Sequence, residues 1–290
     1  MREIKLHTLM NLSLKHQAGF YTNVLFLIYL LINYRVNIVN RLRAAAFSAS
    51  VHLVCSLVVA VLAGLLVFGL WYPYPYLEMS GGRTLFLLVV AVDVVCGPLL
   101  TLVLFSPTKP RIELWRDLTL VALIQLMALG FGLFTVREAR PLFLVHEIDR
   151  FKVVTASDLD ALAVAALPAA IKPLIWGGPR LVAIRQPSSN EERNRVLFDA
   201  IQGGRDYAER PDFYLPYDDA NALKALKTAK PLAIFLKRWP LQQASASKMA
   251  QDQKQDLKQL MYLPVTARQD WVAVLDKQGQ IQGFLKGDGF

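Results

Sequence analysis

The sequence predicts an α-helical membrane domain of three transmembrane helices followed by a small α+β extracytoplasmic domain. Three observations support this fold class. Three long apolar stretches follow one another in the first half, the charges that flank them are unevenly distributed, and residues 141–290 alternate helix and strand patterns. We therefore expect an N-terminal basic extension over residues 1–40, a transmembrane domain over residues 41–140 and an outer domain over residues 141–290.

The three apolar stretches are long enough to cross a bilayer. They cover Phe47–Leu70, Leu85–Phe105 and Leu118–Val136, and Asp93 is the one charged residue within them. A helix needs about 20 mostly apolar residues to cross the hydrocarbon core, and a soluble domain rarely contains three such runs in succession. The chain is therefore predicted to be a multi-pass membrane protein.

The charges beside these spans predict the orientation. Basic residues precede the first span and fill the loop between the second and third, namely Arg35, Arg41, Arg43, Lys109, Arg111 and Arg116. The intervening turn, Trp71–Thr84, has one Arg and one Glu and is rich in Trp, Tyr and Pro, as in an aromatic belt on the opposite side. Three spans then place residues 141–290 outside the cytoplasm, although Arg137 and Arg140 add positive charge to that side.

The extension before the first span is basic, since the first 46 residues carry six Lys and Arg against one Glu. Its apolar run Val24–Ile32 is short for a span, so an interfacial helix or an unstructured extension is expected. As a fourth span it would place the outer domain in the cytoplasm, and a misassigned translation start is a further interpretation of residues 1–40. A removed signal peptide is disfavoured because no cleavage pattern follows Lys5 or Lys15.

Asp93 is the principal candidate site residue in the membrane domain. A carboxylate at the centre of a span costs about 3 kcal/mol on insertion, so it should face other helices rather than lipid. Gly97 and Pro98 follow within two turns, and Pro98 removes a backbone donor and frees the carbonyl of Val94. Asp93 therefore either hydrogen-bonds within the three-helix bundle or binds a polar or charged group of a partner helix.

Small residues extend this candidate partner-helix site onto the first span. Asp93 lies about 18 Å from the cytoplasmic end, and Ser56 comes nearer that depth than His52 or Gln125 does. Ala60 and Gly64 form a pair of small residues that allows close helix approach. The candidate site consists of Asp93, Gly97, Pro98, Ser56, Ala60 and Gly64. At shallower levels of about 8 and 10 Å, His52 and Gln125 form a candidate intramembrane polar pair.

The outer domain carries alternating strand and helix signals. Strands are expected at 142–148, 151–154 and Arg180–Arg185, and again at Trp271–Asp276 and Ile281–Leu285 around a hairpin turn with Gly279 at positive φ. Helices are expected from Ser157, with Asp160 completing a capping box, to Leu167, from Ser189 to Ile201, over Asp218–Thr228 and over Lys248–Met261. This order predicts an α+β fold.

The residues needed for catalysis or metal binding are scarce. The outer domain has one histidine, His146, and no cysteine, and no nucleophile elbow or phosphate-binding glycine loop is present. Its 20 Lys and Arg nearly balance its 17 Asp and Glu, which gives no reason to expect nucleic acid binding. We therefore expect no enzyme activity, no cofactor and no metal site.

From Arg41 onward the order of features resembles the TfpX/TfpZ family of type IV pilin accessory proteins, which includes the fimbrial protein FimB. The resemblance covers about residues 41–155. It rests on five segments: Trp71-Tyr72-Pro73, Val92-Asp93-Val94-Val95-Cys96-Gly97-Pro98-Leu99-Leu100-Thr101-Leu102, Gln125-Leu126, Arg140-Pro141 and Val145–Phe151.

The resemblance implies a protein of the bacterial inner membrane that acts beside a cognate major pilin and aids its stability or its assembly into fimbriae. A pilin waits in the bilayer with an apolar N-terminal helix that carries a glutamate. The expected partners are therefore this helix, which the bundle would shelter as a chaperone does, and the globular head of the pilin, which the periplasmic C-terminal domain would contact. Asp93, kept protonated, would donate to a polar group there.

Two other functions remain open. A membrane-anchored sensor would bind a small ligand with its outer domain, but a sensor also needs a cytoplasmic output module, and the cytoplasmic parts here are short. An enzyme that modifies pilin would change the mass of the pilin.

Overall fold

The computed structural model describes residues 38–174 and 176–290. Three of its helices are long and apolar enough to cross a membrane: α1 over Ile38–Trp71, α3 over Gly82–Leu104 and α4 over Arg111–Glu138. They contain the predicted spans, apart from Phe105, which follows the end of α3. The short helix α2, Tyr76–Met79, lies in the aromatic turn between α1 and α3. The apolar run Val24–Ile32 lies outside the described residues.

The chain divides into two compact units, and both contain parts of the long helices. The first unit combines the described residues up to Leu57 with Val92–Leu126. Side-chain hydrogen bonds join its helices. Lys109, in the loop between α3 and α4, forms an ion pair with Asp117 of α4 at 2.7 Å. Polar contacts therefore add to apolar packing in this unit.

The second unit combines Val58–Ala91 with Met127–Phe290. It includes residues 58–71 of α1, 82–91 of α3 and 127–138 of α4, here called the outer parts of these helices because they adjoin residues 141–290 in the chain or in this unit. They pack through a cluster of buried side chains: Ala63, Val67, Trp71, Tyr72, Phe86 and Val136. The last turn of α1, Val67–Trp71, widens to a π-helix. The rest of the unit is the outer domain.

A mixed sheet organises the outer domain. Its strands are β1 (Pro141–His146), β2 (Phe151–Thr155), β3 (Arg180–Ile184), β4 (Tyr214–Pro216), β5 (Lys230–Pro231), β6 (Met261–Thr266), β7 (Trp271–Leu275) and β8 (Ile281–Lys286). The order is β4-β3-β1-β2-β6-β7-β8, and β5 pairs with β6. The β1–β3 and β2–β6 pairs are parallel and the other pairs are antiparallel.

In the described part of this domain, five α-helices accompany the sheet: α5 (Ala161–Ala165), α6 (Asn190–Ile201), α7 (Asp219–Thr228), α8 (Leu232–Arg238) and α9 (Gln243–Asp252). Helices α6 and α7 begin where the sequence predicts, and the side chains of Ser189 and Asp218 cap them. Asp160 caps α5, but the capping box is formed by Thr155 and Asp158 around a short 3-10 turn. The expected box therefore begins two residues too late.

One predicted helix is partly wrong. Helix α9 ends at Asp252, and the second half of the expected helix Lys248–Met261 contains a 3-10 turn and leads into β6. Strand β6 contains Pro264, a residue that usually argues against an interior strand. On the side of β6 that faces away from β7, the partner strand changes from β5, at Met261 and Tyr262, to β2, at Val265 and Thr266. Pro264 lies at this change of partner, which is why it is tolerated.

Both faces of the sheet are buried, which explains its runs of apolar residues. In β7, Trp271, Ala273 and Leu275 pack in one core cluster while Val272 and Val274 pack in another with α8 and α9. Met79 of α2 is fully buried in the first of these clusters. The turn between α1 and α3 is therefore part of the core of the outer domain.

Candidate functional site in the apolar helices

Asp93 lies half-buried on α3, and its Oδ1 atom is buried with no hydrogen-bond partner in the described structure. An unsatisfied buried carboxylate oxygen costs free energy, and more in an apolar environment than in water. Apolar side chains beside it on α3, Val92 and Val95, are about half exposed at 50% and 54%. The unpartnered carboxylate oxygen and the exposed apolar side chains are therefore on the same helix but on different faces of it.

Gln125 of α4 contacts the backbone rather than the carboxylate of Asp93. Its Nε2 donates to the carbonyl oxygen of Asp93 at 3.0 Å. This approach depends on Gly97, one turn along α3, because a Cβ atom there would overlap the amide group of Gln125. Gly97 is buried, so it serves the contact between α3 and α4 in the first unit.

His52 and Gln125 do not bond to each other; each contacts α3 instead. His52 Nδ1 and Thr101 Oγ1 lie 2.5 Å apart, and Thr101 is 1% exposed. The expected His52–Gln125 pair is therefore replaced by two separate contacts. Equal depth in a bilayer does not fix the rotation of two helices about their axes, and here both polar side chains turn toward α3.

Thr101 was not among the candidate residues predicted from the sequence. It lies four residues after Gly97, as Gly97 lies four residues after Asp93, and this spacing keeps side chains along one side of a helix. That spacing is the sequence signal that would have identified it. The polar contacts of α3 thus follow a single stripe.

The other small residues of the candidate site lie mostly inside the helix packing. Ser56 is 7% exposed, and Gly64 packs against α3, where an added Cβ would lie 3.5 Å from the ring of Phe86. Ala60 and Pro98 are half-buried. Ser56 and Gly97 are therefore the buried members, whereas Asp93, Pro98, Ala60 and Gly64 keep partial access to the surface.

A second polar cluster, at the outer ends of the helices, brings together residues that are distant in sequence. Tyr72 donates its hydroxyl hydrogen to the carbonyl of Val136 at 2.8 Å. The guanidinium of Arg140 lies 6.0 Å from the ring centroid of Trp71, within the range of a cation–π contact. Arg140 is only 6% exposed, so its side chain is part of the packing around Trp71.

An open cleft of about 500 Å³ lies where β2 and β6 separate after only two paired positions. Ser80 and Ala139, near the outer ends of the helices, line one side, and Lys152, Thr155, Asp158 and Arg268 line the rest. Burial would lower the pKa of Lys152, but the hydrogen bond and charge of Glu209 raise it above its usual value. Lys152 therefore stays cationic in the cleft.

His146 is the one ionisable side chain of the outer domain sequence that is a plausible acid–base group near neutral pH, and it is buried. Its ring packs against Phe151 and Tyr217. Burial, with a smaller effect of the charge on Lys224, lowers the pKa of His146 to about 4. Across residues 38–174 and 176–290, no three His, Cys, Asp or Glu side chains gather in a group that could hold a metal ion.

Comparison with known proteins identifies relatives of this chain. A family model described as fimbrial assembly protein FimB matches residues 38–81. A fimbrial assembly protein of serogroup I from Dichelobacter nodosus is 36% identical over 87% of this chain and 98% of its own length. The serogroup E1 protein of the same organism is 34% identical over the same shares.

A third relative from Dichelobacter nodosus, the fimbrial assembly protein of serogroups C1 and C2, is 39% identical over 41% of this chain and 92% of its own length. No solved structure matches the chain.

Proposed function

Because this chain belongs to the family of fimbrial assembly proteins, we propose that it is an accessory factor of type IV pilus biogenesis that binds a cognate major pilin. In this proposal it supports the stability or the assembly of that pilin without enzymatic chemistry. The names of the relatives and the resemblance of residues 41–155 to pilin accessory proteins support the proposal.

The proposed location is the bacterial inner membrane, with the outer domain in the periplasm. Three helices of sufficient length and the basic residues around Arg41 and Arg111 support this placement. Arg140 is a basic residue on the proposed periplasmic side, whereas basic residues are more frequent on the cytoplasmic side. Since its side chain is buried against Trp71, its position has a packing reason that is independent of topology.

The observation that carries the proposal of a partner helix is the unpartnered Oδ1 of Asp93 on α3, a helix on which Val92 and Val95 are also exposed. A partner helix that packed against α3 would cover apolar surface. It could donate a hydrogen bond to the Asp93 carboxylate, or accept a hydrogen bond from a protonated Asp93. The apolar N-terminal helix of a pilin that waits in the bilayer fits this description. The outer domain would then contact the globular head of the pilin.

Site-specific cross-linking tests this contact. A photoreactive amino acid at Val92 or Val95 should give an adduct with the major pilin in cells, and Asp93→Leu should weaken that adduct, whereas Asp93→Asn, which can still donate and accept a hydrogen bond, should weaken it less. Ile112, 81% exposed near the start of α4, is the control position, where no pilin adduct is expected. A full yield of adduct in both Asp93 variants, or no adduct at either valine in pilin-producing cells, would contradict the proposed site.

Deletion of the gene separates stabilisation from assembly. A loss of total pilin indicates a role in stability, whereas normal pilin with few surface pili indicates a role in assembly. The mass of mature pilin should be unchanged, since no chemical modification is proposed.

The cleft between β2 and β6 favours a second candidate function, a membrane-anchored sensor of a small ligand. Its lining by Ser80 and Ala139 would connect a bound ligand to the ends of the helices. Saturable binding of a small molecule to the full chain, abolished by Arg268→Glu and accompanied by no pilin adduct, would favour this function.

A further inference from the structure

We infer that a loop of the outer domain dips into the outer surface of the lipid bilayer through Leu174 and Trp176, beside Tyr74. This inference rests on the membrane placement in the proposed function, and adds a lipid-binding surface to it. The three side chains are exposed at 53%, 62% and 77%.

The position of the loop follows from its contact with the end of α1. A Cβ atom built on Gly178 would lie 2.7 Å from Cγ of Pro73, so Gly178 packs directly against Pro73. Pro73 comes two residues after the end of α1 at Trp71. Where α1 leaves the hydrocarbon core, this loop is therefore at the level of the lipid headgroups.

The loop is held at its start as well. Ile171 is 5% exposed within a core cluster of the outer domain, and Nζ of Lys172 donates to the carbonyl of Ala165 at 2.7 Å. With Gly178 fixed against Pro73, both ends of the loop are anchored in the second unit. Leu174 and Trp176 are thus exposed between two anchored positions, Ile171 and Gly178.

The composition of the loop fits a lipid surface. Between Ile171 and Gly178 the sequence has one basic residue, Lys172, and no carboxylate. Trp and Tyr side chains favour the interface, because an apolar ring and a polar N–H or O–H group are both satisfied there. Exposed Leu174 adds apolar area that the acyl chains would cover.

Fluorescence quenching in lipid tests the inference on the full chain. Cys55 and Cys96 are both free, so the parent carries Cys55→Ala and Cys96→Ala. Single cysteines at Leu174→Cys, Trp176→Cys or Tyr74→Cys are labelled with an environment-sensitive fluorophore. The labelled proteins are reconstituted in nanodiscs that contain zwitterionic and anionic phospholipids, with a nitroxide either on the headgroup or deep in the acyl chain.

Two control positions bracket the expected result. Phe131→Cys, 73% exposed on α4, should be quenched by the deep nitroxide, and Leu241→Cys, 93% exposed before α9, should be quenched by neither. Labels at 174 and 176 should be quenched severalfold more by the headgroup nitroxide than the label at 241. Melting temperatures equal to that of the cysteine-free parent identify the variants that are folded.

Each other outcome overturns a stated part of the inference. If the labels at 174 and 176 are quenched no more than the label at 241, while the label at 131 is quenched, the loop lies in water. A blue shift at 176 without nitroxide quenching would indicate burial against protein rather than lipid. Absence of quenching at 131 would refute the membrane placement itself and hence the proposed function.

Discussion

The hydroxyl of Tyr72 donates a hydrogen bond to the carbonyl of Val136 across 64 residues of sequence, at 2.8 Å. This bond joins the outer ends of α1 and α4 within the second unit. It lies beside the contact of Arg140 with Trp71. The segments Trp71-Tyr72-Pro73 and Arg140-Pro141, which carry the family resemblance, are therefore parts of one structural cluster.

We predict that Tyr72→Phe destabilises the protein by about 1 to 2 kcal/mol, because the carbonyl of Val136 loses its side-chain donor in a buried site. Tyr72 is 1% exposed, whereas Tyr74 is 77% exposed. Tyr74→Phe is therefore the matched control and should leave thermal unfolding in detergent unchanged. Equal melting temperatures for the two variants would show that the Tyr72 bond contributes nothing.

Gly97→Ala should destabilise the first unit by about 1 to 2 kcal/mol. The added methyl group would displace the amide of Gln125 and break its bond to the carbonyl of Asp93. Gly130→Ala on α4 is the control, since no atom lies within 4 Å of its added Cβ, and alanine favours a helix over glycine. Thermal unfolding of both variants in nanodiscs checks this difference, and a Gly97→Ala variant as stable as Gly130→Ala would contradict it.

The sequence predicts the existence of the three long apolar helices better than their contacts. The lengths of the apolar runs are sufficient to place α1, α3 and α4. The partners of His52 and Gln125 depend on the rotation of each helix about its axis, which depth alone does not determine. The role of Gly97 likewise depends on the side chain of Gln125 on α4, 28 positions later in the chain, and not on the sequence neighbours of Gly97.

In the outer domain, local signals were sufficient where capping or turn chemistry decides the structure. The helices expected from Ser189 and Asp218 begin at these residues, which cap them, and Gly279 has the predicted positive φ in the hairpin between β7 and β8. Strand β6 was missed because its fit depends on tertiary pairing. Pro264 lies where β6 exchanges one neighbouring strand for another, which no local pattern reveals.

Gly279→Ala should cost more than Gly203→Ala, although both glycines have positive φ, +79° and +85°. A side chain at Gly203 meets no atom within 4 Å, so only backbone strain of about 1 kcal/mol is expected. At Gly279 the added Cβ would also overlap the backbone of Ala222 in α7, with its carbonyl carbon at 2.6 Å. Melting temperatures of the two variants measure the difference, and equal shifts would show that α7 moves away at little cost.

His146 should make the stability of the outer domain depend on pH below neutrality. In the folded protein burial lowers the pKa of His146 to about 4, whereas the unfolded chain has the ordinary value of 6.5. The unfolded state therefore binds a proton first as the pH falls. The stabilisation from neutral His146 is complete above pH 6.5 and is lost as the pH falls from 6.5 to 4, by about 3 kcal/mol in total.

The variant His146→Phe separates this effect from that of other groups. Burial raises the pKa of neighbouring Glu147, which gives a pH dependence of the opposite sign that both proteins share. The difference between the two unfolding curves, followed by tryptophan fluorescence of the full chain in nanodiscs, should thus report on His146 alone. Wild type should lose stability relative to His146→Phe between pH 6.5 and pH 4, and parallel curves over that range would mean that the histidine is protonated without cost in the folded protein.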